Sequence, residues 1–289
     1  MKFNISYLGP EWYHHLRRDF ILVLKYALED LGHDVVLSGT MIDPSRFNLL
    51  IGAYFLRPEM IKQISTSGVG FAHVNTEVVK KDMLNFDPDK VDFLGTYLPS
   101  MRQGQFVWDV IMDNMVEYER YGVNAHFLRW GWHPRMQDID HKATKDLDFY
   151  FFGMRSDRRA SLVNRLVSAG LVGLADDSCP YFVRNSNIAR ARVHLNLTQQ
   201  TKYSHVNSFR ICYLANNACC ILSESAQDPA NYLQYAEVVS EADMVERVRY
   251  FAAKDRWRVR GEQALSDFQK IPMRESMARL LDESFARPA

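Results

Sequence analysis

Short apolar runs rich in β-branched and aromatic residues alternate along this chain with longer stretches in which apolar positions recur at helical spacing. Residues 3–8 form the first run, and Gly9-Pro10 turns the chain. From His15 onward, Leu16, Phe20, Val23, Leu24, Ala27, Leu28 and Leu31 fall on one helical face, and Gly32 supplies a stop. Residues 34–37, 49–53, 68–74, 91–97 and 125–128 read as strands. Pro58 opens one helix and residues 106–121 contain another. Alternation of this kind predicts a mostly parallel sheet covered on both faces.

From Gly131-Trp-His-Pro134 to Lys145 the chain turns polar, and the pattern then restarts. A strand at 148–152 precedes a helix at 158–169 with Leu162, Val163, Leu166 and Val167 on its apolar side. Strands at 193–198, 219–222 and 237–239 follow, the first two separated by a helix at 207–216. Ser240 and Asp243 form a capping box with Asp in the usual Glu position, opening a helix toward Ala253. Residues 256–285 continue as amphipathic helix broken at Pro272. The expected class is α/β, with two Rossmann-like domains facing a central cleft. The expected boundaries are 1–135 and 136–289, the second domain carrying the C-terminal helices. In open α/β sheets ligands lie beyond the carboxyl ends of strands, so the loops after strands are where chemistry is sought.

Composition adds bounds. The chain has 289 residues, 47% of them hydrophobic and 24% charged, as in soluble globular proteins. Thirty-five Lys and Arg balance thirty-five Asp and Glu. That argues against bulk nucleic-acid binding, which needs a surplus of cations to displace counterions. Cys179, Cys212, Cys219 and Cys220 show neither CxxC spacing nor a disulfide ladder, which points to a reducing compartment and away from structural zinc. The N-terminus lacks signal-peptide architecture, and the apolar run at 20–28 is too short to span a bilayer. These features predict a soluble, cytoplasmic protein with no transmembrane segment, and a homo-oligomer is compatible with them.

Two segments carry phosphate chemistry. In Phe151-Phe-Gly153-Met-Arg155-Ser-Asp-Arg158-Arg159 a strand ends at a glycine and a helix begins with arginines. Gly153 lets backbone approach a ligand, while the helix start, Arg155 and Arg158 favour an anion. An ordinary strand–turn–helix with solvated arginines would look the same. In the second segment Ser204, Asn207 and Ser208 are good N-cap types ahead of Phe209, Cys212, Tyr213 and Leu214, with His205 and Arg210 flanking the helix start. Glu224 arrives at the end of the next strand, where a carboxylate can accept two hydrogen bonds from a ribose. A capped core helix with a solvated Glu224 is the plain alternative. Arg184, Arg190 and Arg192 form a local basic patch read as a solvated face, and Trp130 and Trp132 could stack on a sugar ring or pack at a hinge.

The order of these segments, with Ala189-Arg-Ala-Arg-Val-His-Leu-Asn196 between them, resembles the C-terminal half of GT-B glycosyltransferases. The likeness is to the CgeB-like group within the glycosyltransferase 4 and 1 type superfamily, and covers about residues 147–285. Two departures stand out. Tyr213 occupies the position where the family helix usually has Glu, and Asn216-Asn217 replaces a usual Gly, while the acidic residue after the strand survives as Glu224. The resemblance implies transfer of a sugar from a nucleoside-diphosphate sugar to an acceptor of unidentified class. It implies a donor-binding set of Gly9, Gly153, Arg155, Arg158, Ser204, His205, Asn207, Ser208, Arg210 and Glu224. No metal or other cofactor is expected, and Asp87-Pro-Asp89 offers no partner ligands.

An inverting enzyme would also need a base for the acceptor hydroxyl, normally from the amino half. His14 and His15 after the first run, and His73 and Glu77 around Phe71-Ala-His-Val-Asn-Thr-Glu77, are the candidates, with Glu11 a further one. Each also has a structural reading as a helix-start or satisfied core residue. Two rivals keep the fold: a nucleotide-sugar 2-epimerase-like enzyme, and a non-catalytic nucleotide-binding scaffold protein with a degenerate pocket.

Overall fold

The apolar runs become the strands of two parallel sheets, one in each of two units. The computed structural model describes residues 1–39, 41–85, 91–177, 179–199 and 205–286, without the side chains of residues 11–14. The first unit comprises Met1–Trp130 and Met273–Ala289, the second Gly131–Pro272. Here the structure departs from the expected boundaries, because the last helix belongs with the first unit and the division falls at Gly131.

In the first unit β1 (Lys2–Tyr7), α1 (Glu11–Asp30), β2 (Asp34–Ser38), β3 (Phe47–Ile51), α2 (Pro58–Thr66) and β4 (Phe71–Asn75) come first. A two-residue hairpin of β5 (Val79–Lys80) and β6 (Met83–Leu84) follows, then α3 (Leu98–Gln103), β7 (Val107–Asp109), α4 (Asn114–Arg120) and β8 (Ala125–Phe127). The sheet order is β2-β1-β3-β4-β7-β8, all parallel. Residues expected as a strand at 91–97 instead contain a π-helical turn, Phe93–Tyr97, running into α3. Asp92 accounts for the difference: its carboxylate accepts the Gly95 N–H (2.9 Å) and the Thr96 hydroxyl (3.1 Å), as a helix cap does. Phe93 and Tyr97 then lie four residues apart, both buried. The helix expected within 106–121 is α4, and Val107–Asp109 ahead of it is a central strand between β4 and β8.

In the second unit β9 (Leu147–Phe152), α5 (Asp157–Ser168), β10 (Gly173–Asp176), α6 (Tyr181–Arg190), β11 (Ala191–Asn196), α7 (Ser208–Asn216), β12 (Cys220–Ser223), β13 (Glu237–Val238), α8 (Met244–Ala252) and α9 (Arg256–Phe268) alternate strictly at first. Their sheet order is β10-β9-β11-β12-β13, again parallel. The final helix, α10 (Met273–Phe285), packs on α1 in the first unit. β10 and α6 were not foreseen, since Gly173–Asp176 is short and half-exposed and α6 opens with exposed aromatics.

Burial follows the two faces of each strand. Phe149 and Phe151 of β9 join Val193, Leu195, Cys220 and Leu222 of its neighbours in one core, closed by Leu162 and Leu166 of α5 and Val248 and Phe251 of α8. Tyr150 and Phe152 point to the opposite face. The strand order reverses where β9 lies between β10 and β11, which opens the carboxyl ends of β9 and β11 as a crevice. The same reversal occurs at β1 and β3.

All four cysteines are free thiols. Among the described residues no helix is long and apolar enough to cross a membrane. One close approach fixes how α9 lies on the second unit. A Cβ on Gly261 would stand 2.0 Å from the carbonyl oxygen of Ala218. Gly261→Ala is therefore expected to cost about 1–3 kcal/mol of stability, the scale of overpacking. Chemical denaturation measures it, and an unchanged midpoint would contradict this packing.

Candidate functional site

At the end of β9 two buried arginines meet. Arg159, in the first turn of α5, donates from Nε and Nη2 to the Leu197 carbonyl (3.1 and 2.7 Å) and from Nη1 to the Met154 carbonyl (2.7 Å). Arg210, in the first turn of α7, donates from Nε to the Phe152 carbonyl (3.0 Å) and from Nη1 to Asn196 Oδ1 (2.8 Å). Both guanidinium groups lie over the Phe151 ring, at 5.2 and 5.0 Å from its centroid. They are 6% and 5% exposed, and among the described residues neither reaches a carboxylate. Burial, reinforced by the Arg159 charge, brings Arg210 down to about 9. Burial brings Arg159 down to about 10 although Glu224 lies near enough to oppose it. Both stay protonated at neutral pH. This end of the sheet thus holds two desolvated cations whose partners are neutral, an arrangement that an anion relieves.

Gly153 keeps the way to Arg210 open. Its backbone has φ +141°, and a Cβ there would fall 2.3 Å from Arg210 Nη2. Its N–H donates to the Asp176 carbonyl (3.0 Å), tying the end of β10 to the end of β9. On α7, Asn207 is the N-cap, its Oδ1 accepting the Arg210 N–H (3.1 Å), and Ser208 is the first, buried, helical residue.

Arg158 and Glu224 face each other. Arg158 grips Glu224 through both nitrogens, Nη1 at 2.9 Å from Oε2 and Nη2 on Oε1, and also reaches Glu241 (2.8 Å). Glu224 Oε2 further accepts the Thr198 N–H (2.7 Å) and hydroxyl (2.9 Å). Burial would raise this carboxyl, but Arg158 and Thr198 hold it below its ordinary value. Arg155 is exposed, with no ion-pair partner among the described residues. His205 bridges to Gln227 at the mouth of the segment. Ser204 lies outside the described residues.

Two buried guanidinium groups were legible only in part, since Arg159 was noted as a helix-start arginine and given no role. Arg184 was read as solvated, yet it is 7% exposed and stacks on Tyr213 (4.4 Å) and Phe152 (5.4 Å), the ring that Arg210 also covers. A buried α6 was the missing premise.

Tyr213 and Asn216-Asn217, which break the resemblance, all grip the segment that enters the second unit. Tyr213 donates its hydroxyl to Asp138 (2.6 Å). Asn216 exchanges two hydrogen bonds with the His133 backbone (2.9 and 3.1 Å). Asn217 Oδ1 accepts the N–H groups of Asp138 and Ile139 (3.0 and 3.2 Å), and its amide donates to the Met136 carbonyl (2.9 Å). One helix of nine residues, α7, thus presents Arg210 at one end and this clamp at the other.

In the first unit the candidate bases separate. His73 is fully buried in β4, its Nε2 2.8 Å from the Ser100 hydroxyl, and burial lowers it to about 4. Neutral and closed off from solvent, it sits as a core residue. His15 is exposed on α1, and the side chains of Glu11 and His14 lie outside the described residues, as do Asp87 and Asp89. Gly9 is half-buried in the turn after β1. Glu77, just past the end of β4, is the one of these carboxylates and imidazoles that nearby elements converge upon. Its Oε1 accepts Arg17 Nη2 of α1 (2.7 Å), the Tyr54 hydroxyl (2.9 Å) and the Thr76 hydroxyl (3.1 Å), while Asn85 donates to Oε2. Behind it lies Asp109, which the sequence did not single out. Burial pushes that carboxyl up to about 7 against the pull of hydrogen bonds from Tyr118, Asn114, Asn75 and the Ile111 N–H. Among the described residues no group of three or more His, Cys, Asp or Glu is placed to hold a metal ion.

No protein-family model matches the sequence, and no curated protein does either. Solved structures do match along nearly the whole chain. An alpha-glucosyltransferase in complex with UDP superposes with a TM-score of 0.63 at 8% identity, covering 98% of this chain and 99% of that one. A further structure of an alpha-glucosyltransferase holds UDP and a 13-mer DNA containing an HMU base, with the same score, identity and coverage. The phage T4 beta-glucosyltransferase matches with a TM-score of 0.55 at 14% identity, covering 99% of this chain and 98% of that one. At such identities the likeness shows the fold, two Rossmann-like α/β domains of GT-B type.

The burial of His73 gives a pH test. Its folded value of about 4 lies below the ordinary 6.5, so the unfolded chain binds more protons between those limits. Stability from this group is full above pH 6.5 and falls as the pH drops toward 4, by up to about 1.4 kcal/mol per pH unit. The unfolding free energy of the wild type relative to His73→Leu is expected to decline over that window. A pH-independent difference would mean that folding leaves the titration of His73 unshifted.

Proposed function

We propose that this GT-B chain is a glycosyltransferase that moves a sugar from a nucleoside-diphosphate sugar to an acceptor, of the CgeB-like kind its second half resembles. The observation that carries this reading is the pair Arg159 and Arg210. Two buried cations that have no carboxylate partner among the described residues stand at the strand-order reversal, beside a glycine where any side chain would block one of them. Departure of a nucleoside diphosphate leaves negative charge at the phosphates, and donors already fixed in a water-poor site stabilise it without reorganising. The rigid supports, Asn196 and the carbonyls of Phe152 and Leu197, keep both guanidinium planes in place before the ligand arrives.

Glu224 serves the ribose from Oε1, the oxygen that takes a single hydrogen bond among the described residues, while Oε2 fixes Thr198. Arg155, exposed beside Gly153, is the cation free to follow the donor. On the acceptor side Glu77 is the residue that contacts the incoming hydroxyl group. UDP is the first nucleotide to test, because it is what the alpha-glucosyltransferase of the same fold carries. A base-bearing DNA belongs among the trial acceptors for the same reason.

Binding of UDP, GDP, TDP and CMP is measured by the rise in melting temperature and by calorimetry. One nucleotide is expected to bind. Arg210→Ala or Arg159→Ala should weaken that binding by about 1–3 kcal/mol, the scale of a hydrogen bond to a charged group. A folded protein that no nucleotide stabilises would favour a scaffold role. With a nucleotide sugar and no acceptor, appearance of an epimer without transfer would replace this reading with epimerase chemistry. Because arginines meet the diphosphate charge here, transfer is also expected to persist in EDTA.

A further inference from the structure

Beneath Glu77 lies a buried carboxyl group, two of whose hydrogen bonds lead through asparagine amides to the loop that carries Glu77. Asp109 ends β7 directly beside Asn75, the last residue of β4. Its Oδ2 accepts Asn75 Nδ2 (2.8 Å), Asn114 Nδ2 (2.8 Å) and the Tyr118 hydroxyl (2.7 Å), and its Oδ1 accepts the Ile111 N–H (2.7 Å). The two amides that it fixes use their second hydrogens on one acceptor, the Glu77 carbonyl, at 2.6 Å from Asn75 and 2.9 Å from Asn114. Asn114 Oδ1 also accepts the Val79 N–H (2.8 Å). The turn from Asn75 to Val79 is thereby held from below by Asp109 and from above by Arg17 and Tyr54.

We infer that Asp109 is a positioning residue that sets the place of the Glu77 carboxylate for the acceptor. The inference rests on the reading of Glu77 as the group that meets the acceptor. Asp109, Asn75 and Asn114 are each 0% exposed, so none of them can touch a substrate and any effect on transfer must pass through the loop. Burying a carboxylate is costly unless its lone pairs are filled, and all the donors here are present. An apolar residue at 109 would avoid that cost, but would leave the two asparagine amides without the acceptor that orients them. Asn at 109 fails for a related reason: its one oxygen replaces only one of the two carboxylate acceptors, so its NH2 group must face either the Ile111 N–H or the hydrogens of Asn75, Asn114 and Tyr118.

Two arms test this. In the first, sugar transfer is measured for the wild type, Asp109→Asn, Glu77→Gln, the double variant and Tyr118→Phe, with nucleotide affinity followed in parallel. Asp109→Asn is expected to lower kcat at least about tenfold with nucleotide affinity unchanged, and the double variant should be no slower than Glu77→Gln. Tyr118→Phe removes one hydrogen bond from Asp109 but leaves both anchors on the Glu77 carbonyl, so its rate should stay near that of the wild type. Multiplicative losses in the double variant, or an equal loss in Tyr118→Phe, would overturn the positioning role. The second arm needs no turnover. Amide hydrogen exchange at Val78 and Val79 should accelerate in Asp109→Asn while Val107 and Trp108 stay protected, and unchanged protection of Val78 and Val79 would overturn the inference. Failure of every nucleotide sugar to react would instead sink the proposed function and leave this second arm to decide the role of Asp109.

Discussion

The second unit is organised around two buried positive charges that no carboxylate among the described residues contacts directly. Removing a guanidinium group from water is tolerated when its N–H groups find acceptors, and the sheet supplies them as the carbonyls of Phe152 and Leu197 and the amide of Asn196. Those acceptors carry no charge, so the field at the end of β9 remains positive. Much else follows from accommodating it. Phe151 offers its ring to both arginines, Gly153 gives up a side chain, and Asn207 caps the helix that carries Arg210. The neighbouring Arg158 and Glu224 pair with each other by contrast, while Arg159 and Arg210 bond only neutral acceptors among the described residues.

In the first unit the charge sign is reversed and the logic is the same. Glu77 and Asp109 form two layers of carboxylate at the ends of β4 and β7, joined through Asn75 and Asn114. The outer one meets Arg17 and the inner one meets only neutral donors. Both units therefore keep their functional polarity at the carboxyl ends of parallel strands, where loops are free to vary while the sheet stays rigid.

The residues that break the resemblance have a physical role of their own. Asn216 and Asn217 accept backbone N–H groups of the segment around His133–Ile139, which has little regular structure to pair them, and Tyr213 holds its Asp138 carboxylate. Side-chain amides do there what a strand neighbour would otherwise do. The position usually held by Glu is thus engaged in structure, and Glu224 is the carboxylate left near the arginines.

Local pattern alone was enough for what depends on near neighbours in the chain. The strand–helix alternation, the apolar stripe of α1, the Pro58 start, the cap at Asn207 and the glycine stop at Gly153 could be read because periodicity and capping act within a few residues. Val91–Tyr97 misled because its apolar residues satisfy either a strand or a helix, and the Asp92 cap decides between them. Burial of His73, Arg159, Arg184 and Asp109, the return of α10 to the first unit, and the pairing of Glu224 with Arg158 were settled only in three dimensions. Each depends on partners distant in sequence, and whether a charged side chain is solvated, paired or stranded is a property of the packed neighbourhood rather than of the residue.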